Sequence, residues 1–576
     1  MEKGHLTRAL LAAALSMLIL LGWEAFFSPR RAPQPDSRNA PAPASAPATT
    51  PEQPGPESPA PAEPAAPSER IEAGSAEDVV LESDLARVVL SNRGAQVKSW
   101  KLKEYRDDRG EHLDLVPCFR EDAGVRPLAI DLETAAVAAD LNSALWRVER
   151  KAANADGRTG STVEFTYSDG AGIEARKTLT LWDGTYLGDL NLDIRDRGRR
   201  LDARAVWGPS FQARGSGAGG TVTSYYNFAG QALWNLGGQV TRLAGRKVED
   251  QAIRGPLLWA GLEDQYFTAL TLPRLATGDV RLWNLSLTAC PATEGQPDED
   301  ELEPARQAVV AVSVPPAGAE LFVGPKQYRM LQEQGRQLDK AVWFSSYGLF
   351  EFFAKGLFVG LDWLHRHVVS NWGVAIILAT VLLRLALFPL NQFSMVRMKR
   401  TQIEMSKLQP KVNAIKKKYA KKKDAESRQK MNQEIMELYR AEGVNPAGGI
   451  VGCLPLLAQF PILIGFYNML TVAIELRGAP FFGWIQDLSL HDRYWILPIL
   501  MGATMFVQQR MSMTKVTDPV QRQQQQIMMI MPFFFTYLCV QMPAGMVLYW
   551  FVNNLLGIGQ QWLVNRHTEK LEARAA

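Results

Sequence analysis

Apolar positions along the 576-residue chain follow two different rhythms. From Ile71 to about Lys326 they come in short, partly alternating runs such as "DVVLESDLARVVLSN", "STVEFTYSD", "ARKTLTLW" and "AVVAVSVPP". Gly, Asn and Asp separate these runs. Alternation at period two with turn residues between predicts a large antiparallel β-sandwich. Beyond Trp372 the rhythm changes to long apolar runs separated by charged loops. Five membrane spans are predicted there, at Trp372 to Leu390, Ile450 to Leu470, Tyr494 to Val507, Ile527 to Gln541 and Met546 to Val564. Some are short against the ~20 residues a span needs. Pro543, Ala544 and Gly545 supply the tight turn between the last two.

A further apolar run, Ala9 to Phe27, follows Lys3 and Arg8. It ends in bulky residues, not a small-x-small cleavage site, and predicts an uncleaved anchor whose basic side stays in the cytoplasm. Ser28 to Ser68 is dominated by Pro, Ala, Ser and Glu, a composition that favours an extended linker. Between Gln337 and His367, Trp343, Phe344, Tyr347, Phe350, Phe353, Leu357, Leu361 and Leu364 recur at steps of mostly three and four. Glu351 and Lys355 form an i,i+4 pair on another face. This predicts an amphipathic helix at the exported membrane surface. The expected units are an anchor (1–27), linker (28–68), exported sandwich (69–336), interfacial helix (337–367), second span (368–392), basic hairpin (393–445), four remaining spans (446–566) and tail (567–576).

Charge fixes the orientation. Fourteen Lys or Arg lie between Arg397 and Glu442, and every basic loop falls on the side of the N-terminus. That distribution obeys the positive-inside rule and puts both termini in the cytoplasm. Within this loop, Ile403, Leu408, Val412, Ile415 and Tyr419, then Met431, Ile435 and Leu438, predict two antiparallel helices, with Pro410 a kink or restart. Lys416, Lys417, Lys418, Lys421, Lys422 and Lys423 sit near the tip. They read either as a solvated face beside anionic lipid or as a docking site for ribosomal RNA or a targeting factor.

The whole-chain averages, net charge +3 and mean hydropathy −0.12, hide this division. Fifteen of the 18 Met lie after Leu390. Met501, Met505, Met511, Met513, Met528, Met529 and Met531 cluster around the fourth and fifth spans, where a pliable apolar surface suits varied partners. Cys118 and Cys290 either pair in an oxidising compartment or remain free thiols. His112 is alone between Ile71 and Lys340, so neither a metal cluster nor a histidine-based acid/base pair is expected. No nucleotide motif is visible, and no catalytic residue, cofactor or DNA partner is expected.

One residue stands against its surroundings. Arg384 lies inside "ILATVLLRLALFPL" and stays charged at any relevant pH. Facing lipid near mid-bilayer, it costs about 2.5 to 17 kcal/mol. Its side chain leaves the helix toward the exported side, against a route to the cytoplasm. A wet, protein-lined cavity is the cheaper arrangement. Thr380 and Asn391 share its side, Gln459 lies in the third span, and Tyr549, Asn553 and Gln560 share one side of the sixth. No Asp or Glu lies well inside a span, so a visiting anionic partner is expected.

The stretches "NWGVAIILATVLLRLALFPL", "LQPKVNAIKKKY", "YRAEGVNPAGG", "CLPLLAQFPILIGFYNML", "ELRGAPFFGWIQDLS", "YWILPILMGATMF", "VTDP" and "MPAGMVLYWFVNN" resemble the YidC family of membrane protein insertases. The resemblance spans the chain and is most specific from Trp372 onward. It implies a polytopic α-helical membrane protein of six spans, five forming the insertase core, with an exported β-supersandwich. It also implies a hydrophilic groove in which Arg384 and its polar neighbour Thr380 match family positions. Gln459 and Leu463 match groove or substrate-facing positions, and Met505 is a further groove candidate. Tyr549 and Trp550 match a Tyr-Tyr pair, from which the Trp departs. The implied function is insertion and folding of nascent membrane proteins within membrane lipid, alone or with the Sec translocon. Two other classes compete. A channel or secondary transporter would use Arg384 as an anion site, but internal repeats are not visible. An anchored exported enzyme or sugar-binding module would need a convergent acid/base constellation, which is not found.

Overall fold

The computed structural model describes residues 69–107, 110–119, 124–210, 230–275, 277–288, 290, 304–345, 347–419, 425–443, 454–513 and 519–575. The predicted anchor and linker lie outside these residues, as do Lys421, Lys422 and Lys423.

The first half is built on antiparallel sheets, as the alternation predicts. A ten-stranded sheet runs from Gln239–Ala244 at one edge, through Leu257–Glu263, Phe267–Pro273, Ala319–Pro325 and Leu187–Asp196, to Arg147–Ala155 at the other. A four-stranded meander (Asp78–Glu82 to His112–Asp114) and a five-stranded sheet (Gln251–Gly255 to Ile130–Leu132) complete the sandwich. Period two decides which side chains face inward: in Ile173–Trp182, Ala175, Lys177, Leu179 and Leu181 are buried. A short helix α1 (Ala135–Ser143) lies against this core through Leu141. Cys118 and Cys290, left open by the sequence, are joined as a disulfide with Cα atoms 5.4 Å apart.

The chain leaves the sandwich through α2 (Tyr328–Glu333), a 3₁₀ turn at Leu338–Ala341, and α3 (Gly348–His367). The predicted helix therefore begins at Gly348, eleven residues later than Gln337. The missing residues are held by the sandwich instead: Arg242 donates to the carbonyls of Lys340 and Ala341, and Trp259 donates to that of Arg336. In α3 the Glu351–Lys355 pair forms at 2.9 Å. Ala354, Phe358, Leu361 and Leu364 are buried, while Leu349, Phe352, Val359 and Trp363 are exposed. Apolar residues thus occupy two faces of α3, one docked on protein and one open.

The helical half comprises α4 (Trp372–Tyr419), α5 (Ala425–Ala441), α6 (Leu454–Val472), α7 (Ile496–Ser512), α8 (Pro519–Cys539) and α9 (Ala544–Ala575). The second predicted span and the first hairpin helix are one 48-residue helix, with Pro389 and Pro410 inside it. At 1.5 Å per residue it extends about 70 Å, twice the hydrocarbon thickness. Pro410 does not restart it. The tip helices pack through Leu408, Val412 and Tyr439. Among the described residues, Trp372–Arg397 is long and apolar enough by itself to cross a bilayer, and Gln459–Val472 and Gln525–Cys539 are shorter apolar segments. The expected tail is helical and continues α9. Helix α9 packs between α4 and α7, α8 lies on α7, and α3 lies on α6. At that last contact Gly465 lets the backbones approach: a Cβ there would sit 2.8 Å from Cβ of Phe353.

Candidate functional site

Arg384 stands where α4 faces α9. Its Nη2 donates to the backbone carbonyl of Asn553 at 3.2 Å. Its Nε is buried and has no hydrogen-bond partner, and among the described residues no carboxylate pairs with it. The predicted wet environment is only partly met by side chains. Thr380, one turn earlier, is buried, but its hydroxyl donates to the Ile376 carbonyl at 2.7 Å within its own helix. Asn391 is buried on the same side with an unpartnered amide nitrogen.

Helix α9 presents Tyr549 toward α6, where its ring stacks on Phe466 with centroids 4.2 Å apart. The Tyr549 hydroxyl stands beside the Gln459 side chain and within electrostatic reach of Arg384, yet makes no hydrogen bond of normal geometry. Arg384, Tyr549 and Gln459, predicted separately from three spans, are therefore brought together. Trp550 lies about 100° further round the helix and meets Phe535 of α8 edge-on at 6.4 Å. Leu463 packs against the main core, half-buried. Met505 is half-buried on α7. Gln560 is buried, and its amide reaches the Phe388 carbonyl at 3.5 Å, which ties α9 to α4 one turn beyond Arg384.

Two participants escaped the sequence reading. Gly557 faces Arg384, and the amide of Gln508 on α7 lies against the same point. Neither is legible from its own helix, because the contact exists only once α4, α7 and α9 are packed. A glycine in a helix interior, which costs roughly 1 kcal/mol against alanine, was the one available signal.

At the far end of α4, Lys418 pairs with Glu434 of α5 at 2.9 Å. Lys417 is exposed and Lys416 half-buried. Of the six candidate docking lysines, these three fall among the described residues.

The helical half holds a cation without a paired carboxylate among the described residues, on a helix long and apolar enough to cross a membrane, and the other half is a large β-rich domain. The family described as "60Kd inner membrane protein" matches residues 363–571, and "YidC periplasmic domain" matches residues 78–359. The membrane protein insertase YidC of Geobacter metallireducens is 34% identical over 595 residues, covering 100% of both chains. That of Alkalilimnicola ehrlichii is 34% identical over 99% of this chain and 97% of its own. A crystal structure of an active YidC insertase with the first transmembrane domain resolved is 18% identical, with TM-score 0.33, over 85% of this chain and 93% of its own. The chain belongs to the YidC family of membrane protein insertases. It is thus an inner-membrane protein with a periplasmic domain, the β-rich half described above.

Proposed function

We propose that this insertase admits its clients at Arg384. The periplasm-bound polar tail of a nascent membrane protein enters the helix assembly partway across the bilayer. There it meets a cation and polar groups instead of hydrocarbon. Moving a charged or polar tail into hydrocarbon is the main cost of insertion, and this site lowers it. The client's apolar span then leaves sideways into lipid, driven by its own burial. The observation that supports this most is the buried, unpartnered Nε of Arg384 beside Tyr549 and Gln459.

In this reading the chain crosses the membrane six times with both termini in the cytoplasm. Trp372–Arg397 serves as the second span. Lys416, Lys417, Lys418, Lys421, Lys422 and Lys423 meet the ribosome or a targeting factor, and some clients arrive through the Sec translocon. The exposed apolar face of α3 (Leu349, Phe352, Val359, Trp363) rests in the periplasmic leaflet.

The test is an insertion assay with protease protection, crossing variants against client tails. Arg384→Ala loses most insertion of acidic-tailed clients, and Arg384→Lys keeps part of it, because placed positive charge matters more than bidentate geometry. Neutral-tailed clients depend less on either. Equal insertion of acidic-tailed clients by Arg384→Ala and the parent would defeat the electrostatic account.

A further inference from the structure

Position 557 lies in the interior of α9, and its neighbours explain what the missing side chain does. In an α-helix each Cα–Cβ bond leans toward the N-terminus, so the side chain of residue i+4 overhangs the carbonyl of residue i. Residue 557 is four beyond Asn553. With glycine there, nothing overhangs the Asn553 carbonyl, and Arg384 reaches it from α4 at 3.2 Å. A Cβ at position 557 would lie 2.8 Å from Arg384 Nη2 and would collide with the Gln508 amide nitrogen. Three helices therefore meet over one bare carbonyl. Gly559, two residues on, has no neighbour within 4 Å of where a Cβ would be.

We infer that Gly557 is a positioning residue for insertion: its notch lets the Asn553 carbonyl, with Gln508 alongside, hold one edge of the Arg384 guanidinium at a fixed depth, so that the remaining donors face a carboxylate on the client's tail. The inference rests on the reading of Arg384 given above. A guanidinium offers five donors in a rigid plane. Fixing one nitrogen on α9 fixes the direction of the others, including the buried Nε that has no partner. A cation free to swing would spend part of its time in orientations that a short-lived client tail cannot use. The carbonyl dipole also leaves the positive charge of Arg384 in place, as a pairing carboxylate would not.

The test uses the full-length chain reconstituted into phospholipid vesicles and two clients that differ only in Asp or Asn at the tail. Gly557→Ala lowers insertion of the Asp-tailed client about fivefold, as misplacing one group of a preorganised site does. It leaves the Asn-tailed client unchanged, and it adds no further loss in an Arg384→Ala background. Gly559→Ala, the same chemical change at an open position, behaves as the parent. Equal loss for both clients, or the same loss on top of Arg384→Ala, makes Gly557 merely structural and overturns the inference. So does no loss while Arg384→Ala is defective. If Arg384→Ala itself inserts the Asp-tailed client normally, the reading of Arg384 fails first, and the notch with it. Should Gly557→Ala fail to accumulate, Gln508→Leu leaves α9 unaltered and carries the same comparison: a loss confined to the Asp-tailed client is expected, and a loss shared by both clients overturns the inference.

Discussion

Lys177 is a fully buried cation and Arg384 a half-buried one, and they differ in what surrounds them. Lys177 is fully buried in the sandwich, on the core face of its strand between Ala175 and Leu179. Its Nζ donates to the carbonyls of Ala95 and Leu128, without a carboxylate. Burial lowers its pKa from 10.5 to about 7. The unfolded chain therefore binds more protons than the folded one between about pH 7 and 10.5, and stability rises with pH over that interval. The full effect is roughly 5 kcal/mol at 1.36 kcal/mol per unit. Hydrogen exchange of Ile173–Trp182 in the full chain, corrected for intrinsic rates, should slow as pH rises from 7 to 9. Lys177→Met should flatten that dependence, and an unchanged slope would reject the assignment. In the sequence the alternation puts Lys177 on the inward side with Ala175, Leu179 and Leu181, but one strand alone does not show that the lysine is enclosed. Arg384 was visible, because a permanent charge inside a span has no bland reading. Gly557 and Gln508 were not, since their meaning lies on helices far apart in the chain.

Elements were legible where a single period governs them and less so where tertiary contacts override it. The strands follow period two, and the apolar length of Trp372–Arg397 is met by one long helix. Pro410 fails as a breaker because Leu408 and Val412 on either side are held by Tyr439 of α5. Such packing offsets the loss of one helical hydrogen bond. Residues 337–345 do not join the α-helix because the sandwich claims them. There Glu263, buried, accepts from Arg242 at 2.8 Å and from Lys326 at 3.1 Å, and Arg242 also holds the Lys340 and Ala341 carbonyls. Glu263→Ala would remove the buried carboxylate that Arg242 and Lys326 share, a loss of about 3 to 5 kcal/mol. The expected readout is rapid proteolysis between the sandwich and α3, with α4 to α9 still resistant. Glu263→Met combined with Lys326→Met should recover part of the resistance, because it removes buried charge on both sides. Proteolysis as fast in the double variant as in Glu263→Ala would show that the cost comes from packing and not charge.

At the scale of the molecule, the sequence suggests two units joined by a helix, but the structure shows them touching directly. Gln265 of the sandwich donates to the Thr471 carbonyl at the end of α6, at 2.6 Å. Arg477 lies over the rings of Tyr266 and Phe267 and reaches the Arg106 carbonyl. Between them Glu475 is enclosed by Asp362 and Arg366 of α3, the backbone amide of Tyr328 and the ring of Tyr105. Asp362 in turn pairs with Arg329 and Arg366. Burial first, and then the charge of Asp362, raises the Glu475 carboxyl from 4.5 to about 7. A carboxyl that keeps its proton longer when docked than when exposed binds more protons in the docked state between about pH 4.5 and 7. The junction is therefore tightest below that interval, weakens as pH rises through it, and is constant above it. The change is at most roughly 3 kcal/mol, enough to shift a local opening equilibrium about a hundredfold. Hydrogen exchange at Tyr328–Glu333 and Ile474–Leu476, corrected for intrinsic rates, should be slower at pH 5 than at pH 7.5. Glu475→Gln mimics the protonated form, so it should hold exchange at its slow value across the range. If Glu475→Gln keeps the parent's pH dependence, the junction is governed by another group, and the direct ion pairs of Asp362 become the first to replace.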